Sequence, residues 1–401
     1  DALFTSTSAV CVTGLIVHDT ATYWTEFGQF VIISLIQVGG MGVVTVAVAV
    51  AMVSGKKIGL RERSTMQDAI SAPKVGGIVR FTGFILKGTF IVELTGAVLM
   101  APQFIKDFGF VKGIWYAVFH SISAFCNAGF DLMGVREPFS SLTHYVGHPV
   151  INFAIMMLIV VGGLGFLTWE DIWTNRRCWR KYRMQSKVIL TTTALLILIP
   201  AVIFYFLEFN GPEWQGWGAR IWASLFQSVT PRTAGFNTVD LTAMSEPGQL
   251  LTAILMLIGG SPGSTAGGMK TTTLAVLLLS GWAVFYRKED TQCYGRRISE
   301  ETVRYAAVVM MMYITLCIGG ALAISYLEGL PILTCIYETA SAIATVGLTL
   351  GITPELGTAS RIILILLMYC GRVGGLTLVY AAISGVKPHV SRLPQEKITV
   401  G

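Results

Sequence analysis

Long apolar runs, nearly free of charged residues, recur along the chain and alternate with shorter polar segments. These runs are Phe27–Ser54, Val150–Thr168, Val188–Leu207, Leu250–Phe285, Ala306–Leu327 and Ile362–Ser384. Each is long enough to cross a hydrocarbon core of about 30 Å as an α-helix. The pattern predicts an all-α polytopic membrane protein without a sizeable soluble domain between its spans.

Four short stretches share an ending in which one glycine follows a small or β-branched residue and precedes Leu or Phe. They are Ser8–Leu15, Ser123–Phe130, Thr230–Phe236 and Ser341–Leu348. The fourth contains Thr-Val-Gly, the core of a potassium-channel filter. Four such loops in one polypeptide predict a central pore with fourfold pseudosymmetry. The alternative is four re-entrant or helix-turn segments whose glycines coincide by chance.

The chain divides into four units, each predicted to contain an outer helix, a short pore helix, a glycine loop and an inner helix. The units span residues 1–70, 71–180, 181–298 and 299–401, the last including the C-terminal tail. The predicted outer, short and inner helices are Val79–Met100, Gly113–Phe125 and Val150–Thr168 in unit two, Val188–Leu207, Ala219–Val229 and Leu250–Phe285 in unit three, and Val303–Leu327, Pro331–Ile343 and Ala359–Ser384 in unit four. Unit one has its loop and the inner helix Phe27–Val53, so its outer helix is expected before Asp1.

A second glycine marker supports the repeat, because a glycine doublet or near-doublet lies inside every inner helix. The first glycines of these markers are Gly39, Gly162, Gly259 and Gly371. They follow the loop glycines by 25, 33, 24 and 24 residues, and the longer interval contains the polar insertion around Arg136–His148. In units one, two and four an aromatic residue lies ten residues before the loop glycine and a serine six before it. Thr230 lies only five before Gly235, which predicts a loop one residue shorter in unit three.

Basic residues cluster after the predicted inner helices. The clusters lie within Lys56–Lys74, Arg176–Lys187, Arg287–Arg304 and Lys387–Lys397. The positive-inside rule places these segments and the C-terminus in the cytoplasm and the four glycine loops on the opposite side. The net charge of +6 therefore reports topology and gives no reason to expect nucleic-acid binding. The seven cysteines form no CxxC pair and the five histidines are dispersed, so neither a disulfide framework nor a transition-metal site is expected.

The loops have the chemistry of a cation filter. A dehydrated cation needs oxygen ligands, and glycine allows the backbone angles that aim successive carbonyls inward. The predicted K⁺-binding residues are Cys11, Val12, Thr13, Gly14, Cys126, Asn127, Ala128, Gly129, Arg232, Thr233, Ala234, Gly235, Ala344, Thr345, Val346 and Gly347. The Arg232 side chain must point away from the axis. Asp131 and Asp240 either add negative potential at the outer mouth or are simply solvated.

The third inner helix is interrupted by a segment too rich in glycine and proline to remain helical. Its residues are Gly259, Gly260, Ser261, Pro262, Gly263, Ser264, Thr265, Ala266, Gly267 and Gly268. We expect this segment, just below the filter, to obstruct the pore when closed, together with the cations Lys270 and Arg372. A lone arginine inside a membrane helix is usually functional, and pairing for packing is the alternative. A phosphate-binding loop is disfavoured, because Met269 precedes Lys270 and no strand precedes the glycines.

The sequence resembles the Trk/Ktr/HKT superfamily of potassium transporters, and most of all its KtrB branch, over essentially the whole chain. The resemblance rests on the four loops, Gly259–Thr273, Gly371–Leu378 and the ending Pro394–Gly401. It implies a homodimer with one pore per protomer and a cytosolic ring of nucleotide-binding regulatory subunits of the KtrA/TrkA type. Glycine, rather than serine, at Gly14 implies potassium over sodium. The chain departs from the family at its start and at Gly375, where proline is expected.

We therefore expect a potassium-uptake subunit of the bacterial plasma membrane that conducts ions down their electrochemical gradient and is not an enzyme. K⁺ is the bound and transported ion, Na⁺ is a candidate activator, and membrane lipid surrounds the protein. The alternative is a secondary transporter coupled to Na⁺ or H⁺, which needs buried carboxylates in its spans and has Glu93 as the clear candidate. An intramembrane enzyme would need a nucleophile–base or metal constellation, and none is visible in the spans.

Overall fold

The structure is a computed structural model that describes residues 1–42, 45–46, 77–211, 214 and 216–374. The predicted basic cluster at 56–74, Gly375 and the C-terminal tail lie outside these residues. Over the described part the fold is helical, with one short hairpin that pairs Gln292–Cys293 with Arg296–Arg297. This agrees with the all-α class predicted from the apolar runs.

Three kinds of helix repeat along the chain. The outer helices are Ile78–Phe108, Met184–Leu207 and Glu300–Glu328. The short helices are Ala2–Cys11, Phe110–Cys126, Trp217–Val229 and Ile332–Ile343. The inner helices are Glu26–Met41, Pro149–Gly163 followed by Phe166–Asn175, Glu246–Leu257 followed by Thr271–Phe285, and Thr358–Val373. Smaller elements are the helix Thr20–Tyr23 and the 3₁₀ turns Met133–Val135, Thr143–Tyr145, Trp179–Lys181 and Thr353–Glu355.

The outer helices have the length and apolar composition of membrane spans. All three pass that test, and the two inner-helix pieces of unit two would supply a fourth crossing if they are counted as one span. The outer helix of unit two continues to Phe108, beyond the predicted end at Met100. Pro102 lies inside it, which membrane helices tolerate.

The prediction of continuous inner helices in units one, two and four was wrong. The unit-two pieces meet at a 98° bend, and the other two helices end at Met41 and Val373. A glycine with an extended ψ and a positive φ follows each end: Gly42 (φ 84°, ψ 133°), Gly165 (φ 87°, ψ 139°) and Gly374 (φ 89°, ψ 140°). These angles are open to glycine and costly for other residues. Each of these three inner helices therefore ends or bends at a glycine within the described residues.

The marker glycines bring each inner helix against the short helix of its own unit. A Cβ at Gly39, Gly162 or Gly371 would lie 2.1, 2.0 or 1.9 Å from a carbonyl oxygen in the last turn of that short helix. In all three cases the carbonyl belongs to the residue four before the loop glycine, so the three contacts are in register. Unit three differs, since a Cβ at Gly259 would meet the carbonyl oxygen of Gly267, 2.3 Å away.

The short helices form the centre of the core. The aromatic side chains ten residues before the loop glycines are buried there: Phe4, Phe119 and Tyr337. Many apolar side chains on the outer helices are exposed, such as Phe90, Leu198 and Leu322. An apolar exterior around a tightly packed centre is what a bilayer requires of a protein that it surrounds.

Candidate functional site

The four loops that follow the short helices form a closed ring. All sixteen residues predicted for the filter are buried. Each loop glycine abuts the carbonyl oxygen just before the glycine of the next loop. A Cβ would lie 2.4 Å from Ala128 O if placed on Gly14, 2.8 Å from Ala234 O on Gly129, 2.3 Å from Val346 O on Gly235, and 2.3 Å from Thr13 O on Gly347. The units therefore follow one another around an axis in chain order, and no side chain fits between them.

The backbone of the four loops repeats the same unusual conformation. The glycines have positive φ angles of 93°, 69°, 78° and 96°. The residue two before each glycine is also left-handed: Val12 (φ 58°), Asn127 (φ 59°), Thr233 (φ 67°) and Thr345 (φ 53°). Non-glycine residues rarely adopt such angles, and isolated left-handed residues cluster where function requires a special backbone. Two left-handed residues separated by one other reorient the successive carbonyls in each loop.

A hydroxyl group on each short helix holds its loop in place. Ser8 Oγ accepts a hydrogen bond from the Gly14 amide (3.1 Å), and Ser341 Oγ accepts one from the Gly347 amide (3.0 Å). Ser123 Oγ instead donates to Phe130 O (2.6 Å), just past its loop glycine. In unit three, Thr230 Oγ1 donates to Phe236 O in the same way.

The shortened loop predicted for unit three is visible in its backbone bonds. In units one, two and four the residue before the loop glycine donates to the serine carbonyl five residues back, at 2.8 Å each. In unit three the Ala234 amide donates to Thr230 O, four residues back, at 3.0 Å. The Arg232 side chain points away from the ring, as expected for a positive charge beside a cation site. Its Nη2 donates a hydrogen bond to Thr193 Oγ1 on the unit-three outer helix (3.4 Å).

Carboxylates lie beyond the ring on the side where the inner helices start. Asp131, two residues past Gly129, is half-buried and accepts a hydrogen bond from the Met133 amide (2.9 Å). Burial and, to a smaller degree, the nearby Asp19 raise the pKa of Asp131 to about 7. Asp240 is exposed and accepts from the Thr242 amide (2.9 Å) within its own turn.

Two polar residues behind the loops were missed by the sequence reasoning. His120 and Glu338 both lie nine residues before their loop glycine and are fully buried. His120 Nε2 accepts a hydrogen bond from the Leu132 amide (3.3 Å), past the loop of unit two. Glu338 accepts hydrogen bonds from two threonines past the loop of unit four. Their shared spacing, nine residues before the loop glycine, was the signal that could have identified them. Their hydrogen-bond partners lie in irregular segments whose path a sequence does not reveal.

The interrupted segment of unit three is an ordered loop beneath the ring. Its ends are joined, since the Gly259 amide donates to Met269 O (2.8 Å) and the Thr271 amide donates to Gly260 O (3.0 Å). Thr265 Oγ1 donates to Phe125 O, in the last turn of the unit-two short helix (3.0 Å). We call residues 258–270 the crossing segment.

The crossing segment also meets unit four. A Cβ at Gly267 would lie 2.0 Å from Thr345 Oγ1, and one at Gly268 would lie 2.9 Å from Ala344 O. Glycine at these two positions therefore lets the segment approach the fourth loop closely.

Arg372 joins three units at the crossing segment. From the inner helix of unit four, its Nη1 donates to Thr265 O (2.5 Å). Its Nη2 donates to Gly39 O, at the end of the unit-one inner helix, and is 3.4 Å from Gly40 O. Lys270 Nζ stays within its own segment, where it donates to Ala266 O (2.9 Å) and Gly267 O (3.3 Å).

The rival functions require buried carboxylates or a metal site. Glu93 on the unit-two outer helix is buried and accepts a hydrogen bond from Gln37 Nε2 (3.0 Å). Within the described ranges no group of three or more His, Cys, Asp or Glu side chains could hold a metal ion, and the cysteines are free.

These features define a helical, multi-span membrane protein built from four loop-bearing units around a central ring. The chain belongs to the TrkH family of cation transport proteins, whose family model matches residues 1–389. The family is one of transporters and not of enzymes.

Individual relatives agree with this assignment. The potassium/sodium uptake protein NtpJ of Enterococcus hirae and the Ktr system potassium uptake protein B of Bacillus subtilis are each 39% identical to the chain, over 100% of its length and 89% of theirs. The crystal structure of the potassium transporter TrkH from Vibrio parahaemolyticus superimposes with a TM-score of 0.74 at 20% identity, and the match covers 95% of this chain and 77% of that one. This structural likeness bears on the fold alone.

Proposed function

We propose that the protein mediates potassium uptake across the bacterial plasma membrane through a channel-like pore whose filter is the ring of four glycine loops. The observation that carries the proposal is the closed ring, in which each glycine abuts the carbonyl preceding the next. Carbonyl oxygens from the four loops would replace the hydration shell of K⁺. The short helices end at the loops, so their negative dipole ends would add to the attraction for a cation.

The filter assignment is tested by replacing Gly14 with serine. The new side chain would start 2.4 Å from Ala128 O and displace the neighbouring loop. We expect K⁺/Na⁺ discrimination to fall, measured as ⁸⁶Rb⁺ uptake into proteoliposomes in competition with K⁺ or Na⁺. Gly281→Ser is the matched control, because a Cβ at Gly281 has no neighbour within 4 Å. Unaltered discrimination in Gly14→Ser would refute the assignment.

The crossing segment and Arg372 would form the gate below this filter. The segment bonds to the unit-two short helix, and Arg372 ties it to the end of the unit-one inner helix. A positive charge below the filter would also oppose a passing cation. We infer that this arrangement is the closed state and that opening requires the Arg372 contacts to break.

The proposed assembly is a homodimer with a cytosolic ring of nucleotide-binding regulatory subunits on the cytoplasmic face. The basic segments would face that side, and Na⁺ would act as an activator. Support comes from the resemblance to the KtrB branch and from relatives named as parts of Ktr systems. Two measurements test this proposal. The first is the mass of the detergent-purified protein after the contribution of bound detergent is subtracted. The second is K⁺ uptake by the protein with and without the regulatory ring. A monomer whose uptake ignores the ring would contradict the proposal.

Coupled transport is the second candidate, favoured by the buried Glu93 and by a relative named for both potassium and sodium uptake. It predicts that Glu93→Gln abolishes concentrative uptake driven by a Na⁺ or H⁺ gradient. Passive conduction predicts that uptake follows the electrochemical gradient of K⁺ alone, in the wild-type protein and in Glu93→Gln.

A further inference from the structure

Glu338 is a carboxylate buried behind the fourth loop. It lies on the short helix Ile332–Ile343, nine residues before Gly347, and its relative exposure is 0%. Its Oε2 accepts a hydrogen bond from Thr349 Oγ1 (2.9 Å), and its Oε1 accepts one from Thr353 Oγ1. Both threonines follow the loop glycine, so one side chain connects the helix before the loop to the chain after it.

The partners of Glu338 are hydroxyl groups only. Within the part of the chain that the structure describes, no Lys, Arg or His nitrogen lies within 4.0 Å of its carboxylate. Burying such a group without a cation is costly. The cost is offset only in part by the two hydroxyl donors. An apolar residue would suit this position better if it served packing alone.

The fourth loop, which Glu338 connects to the chain after it, contacts the loops of two neighbouring units. Val346 O meets Gly235 of the preceding unit, and Gly347 meets Thr13 O of the following one. A shift of this loop would therefore change two sides of the ring at once. In unit one the residue in the same register is Thr5, whose buried hydroxyl has no hydrogen-bond partner among the described residues.

We propose that Glu338 is a positioning residue for ion selectivity, holding the outer end of the fourth loop through Thr349 and Thr353. This inference rests on the proposed function of the ring as a filter. Glu338 itself need not touch the ion, because it acts through the segment that fixes the carbonyls of Val346 and Gly347. Its loss should therefore affect discrimination between cations and not merely the amount of folded protein.

The test compares Glu338→Ala and Glu338→Gln with the wild-type protein in proteoliposomes, by ⁸⁶Rb⁺ uptake with K⁺ and Na⁺ as competitors. We expect Glu338→Ala to reduce K⁺/Na⁺ discrimination about tenfold, which corresponds to roughly 1.4 kcal/mol, with a smaller change in maximal uptake. Glu338→Gln, which keeps the shape and can bond both hydroxyls, should recover most of the discrimination. Thr353→Val removes one hydroxyl at nearly constant volume and should shift discrimination in the same direction, so it tests the proposal even if the alanine variant misfolds.

Glu328 supplies the matched control. It is the last residue of the unit-four outer helix and accepts hydrogen bonds from the Gly357 amide (2.9 Å) and Ser360 Oγ (2.5 Å), both at the start of the unit-four inner helix. Glu328→Gln should discriminate like the wild type. The inference is overturned if Thr353→Val and folded Glu338→Ala keep wild-type discrimination, or if they lower uptake without altering selectivity. A Gly14→Ser variant measured in parallel separates the two proposals. Altered selectivity in that variant would support the filter assignment even if the Glu338 variants keep wild-type discrimination.

Discussion

Replacing Arg372 by alanine should increase ion flux through the protein, because its guanidinium ties together parts of three units. It donates to Thr265 O in the crossing segment and to Gly39 O at the end of the unit-one inner helix. Neither contact partner lies on the helix that carries Arg372. If the crossing segment must move for ions to pass, both bonds have to break, and alanine removes them beforehand.

The size of the effect follows from these two bonds. A hydrogen bond from a charged group contributes about 1.5–3 kcal/mol, so two of them favour the tied state by about 3–6 kcal/mol. In a cavity that ions cross, water can form hydrogen bonds with the freed groups and so offset part of this energy. The lower limit, about 3 kcal/mol, corresponds to roughly a 100-fold change in the opening equilibrium. The increase in flux is smaller wherever the wild-type pore is already partly open, because flux cannot exceed that of a fully open pore.

The assay is ⁸⁶Rb⁺ uptake into proteoliposomes without regulatory subunits, at matched protein density. We expect Arg372→Ala to raise the initial rate by at least about tenfold and Arg372→Lys to lie in between, since lysine keeps the charge but not the forked donor. Arg304→Ala is the control, because Arg304 is exposed and its ion pair within the described residues is with the nearby Glu300. An Arg372→Ala protein that folds normally and keeps the wild-type rate and K⁺ affinity would refute the gating role and leave Arg372 as a packing contact.

Three further changes test the electrostatics and the architecture of the ring. Burial raises the pKa of Asp131 to about 7, so its carboxylate is charged above that pH and neutral below it. Because a neutral Asp131 no longer attracts K⁺, the KM for K⁺ should rise as the pH falls through 7. The Asp131→Asn variant should not show that rise. Ser341→Ala leaves the buried Gly347 amide without its acceptor and should lower the free energy of unfolding by about 1–3 kcal/mol, measured by thermal denaturation in detergent; an unchanged midpoint would contradict this. Gly162→Ala should destabilise the protein strongly, since its Cβ would lie 2.0 Å from a backbone carbonyl, whereas Gly281→Ala should not.

The repeat was readable from the sequence because its signals are local. A loop glycine, a hydroxyl five or six residues earlier and an aromatic residue ten earlier all lie on one short helix or its end, so spacing alone places them. The shorter spacing of Thr230 predicted a shorter loop in unit three, and the structure shows it as a hydrogen bond to the residue four back and not five.

Long-range contacts and isolated glycines were not readable in this way. Arg372 bonds to residues 107 and 333 positions away, and no periodicity encodes such pairs. The helix ends at Gly42, Gly165 and Gly374 were missed because single glycines are common in membrane helices as packing contacts. Only the conformation of each glycine separates a contact from a break.

The helix ends at Gly42, Gly165 and Gly374 change the argument for placing the proposed gate in unit three. An interruption alone does not distinguish unit three, since the unit-two inner helix is also interrupted and the described helices of units one and four end at a glycine as well. What differs is the position of the marker glycine. In units one, two and four the marker packs against its own short helix, whereas Gly259 packs against Gly267 within the crossing segment. Unit three thus has a contact inside a loop where the other units have one between two helices, so a movement of that loop would not have to break a marker contact between its inner helix and its short helix.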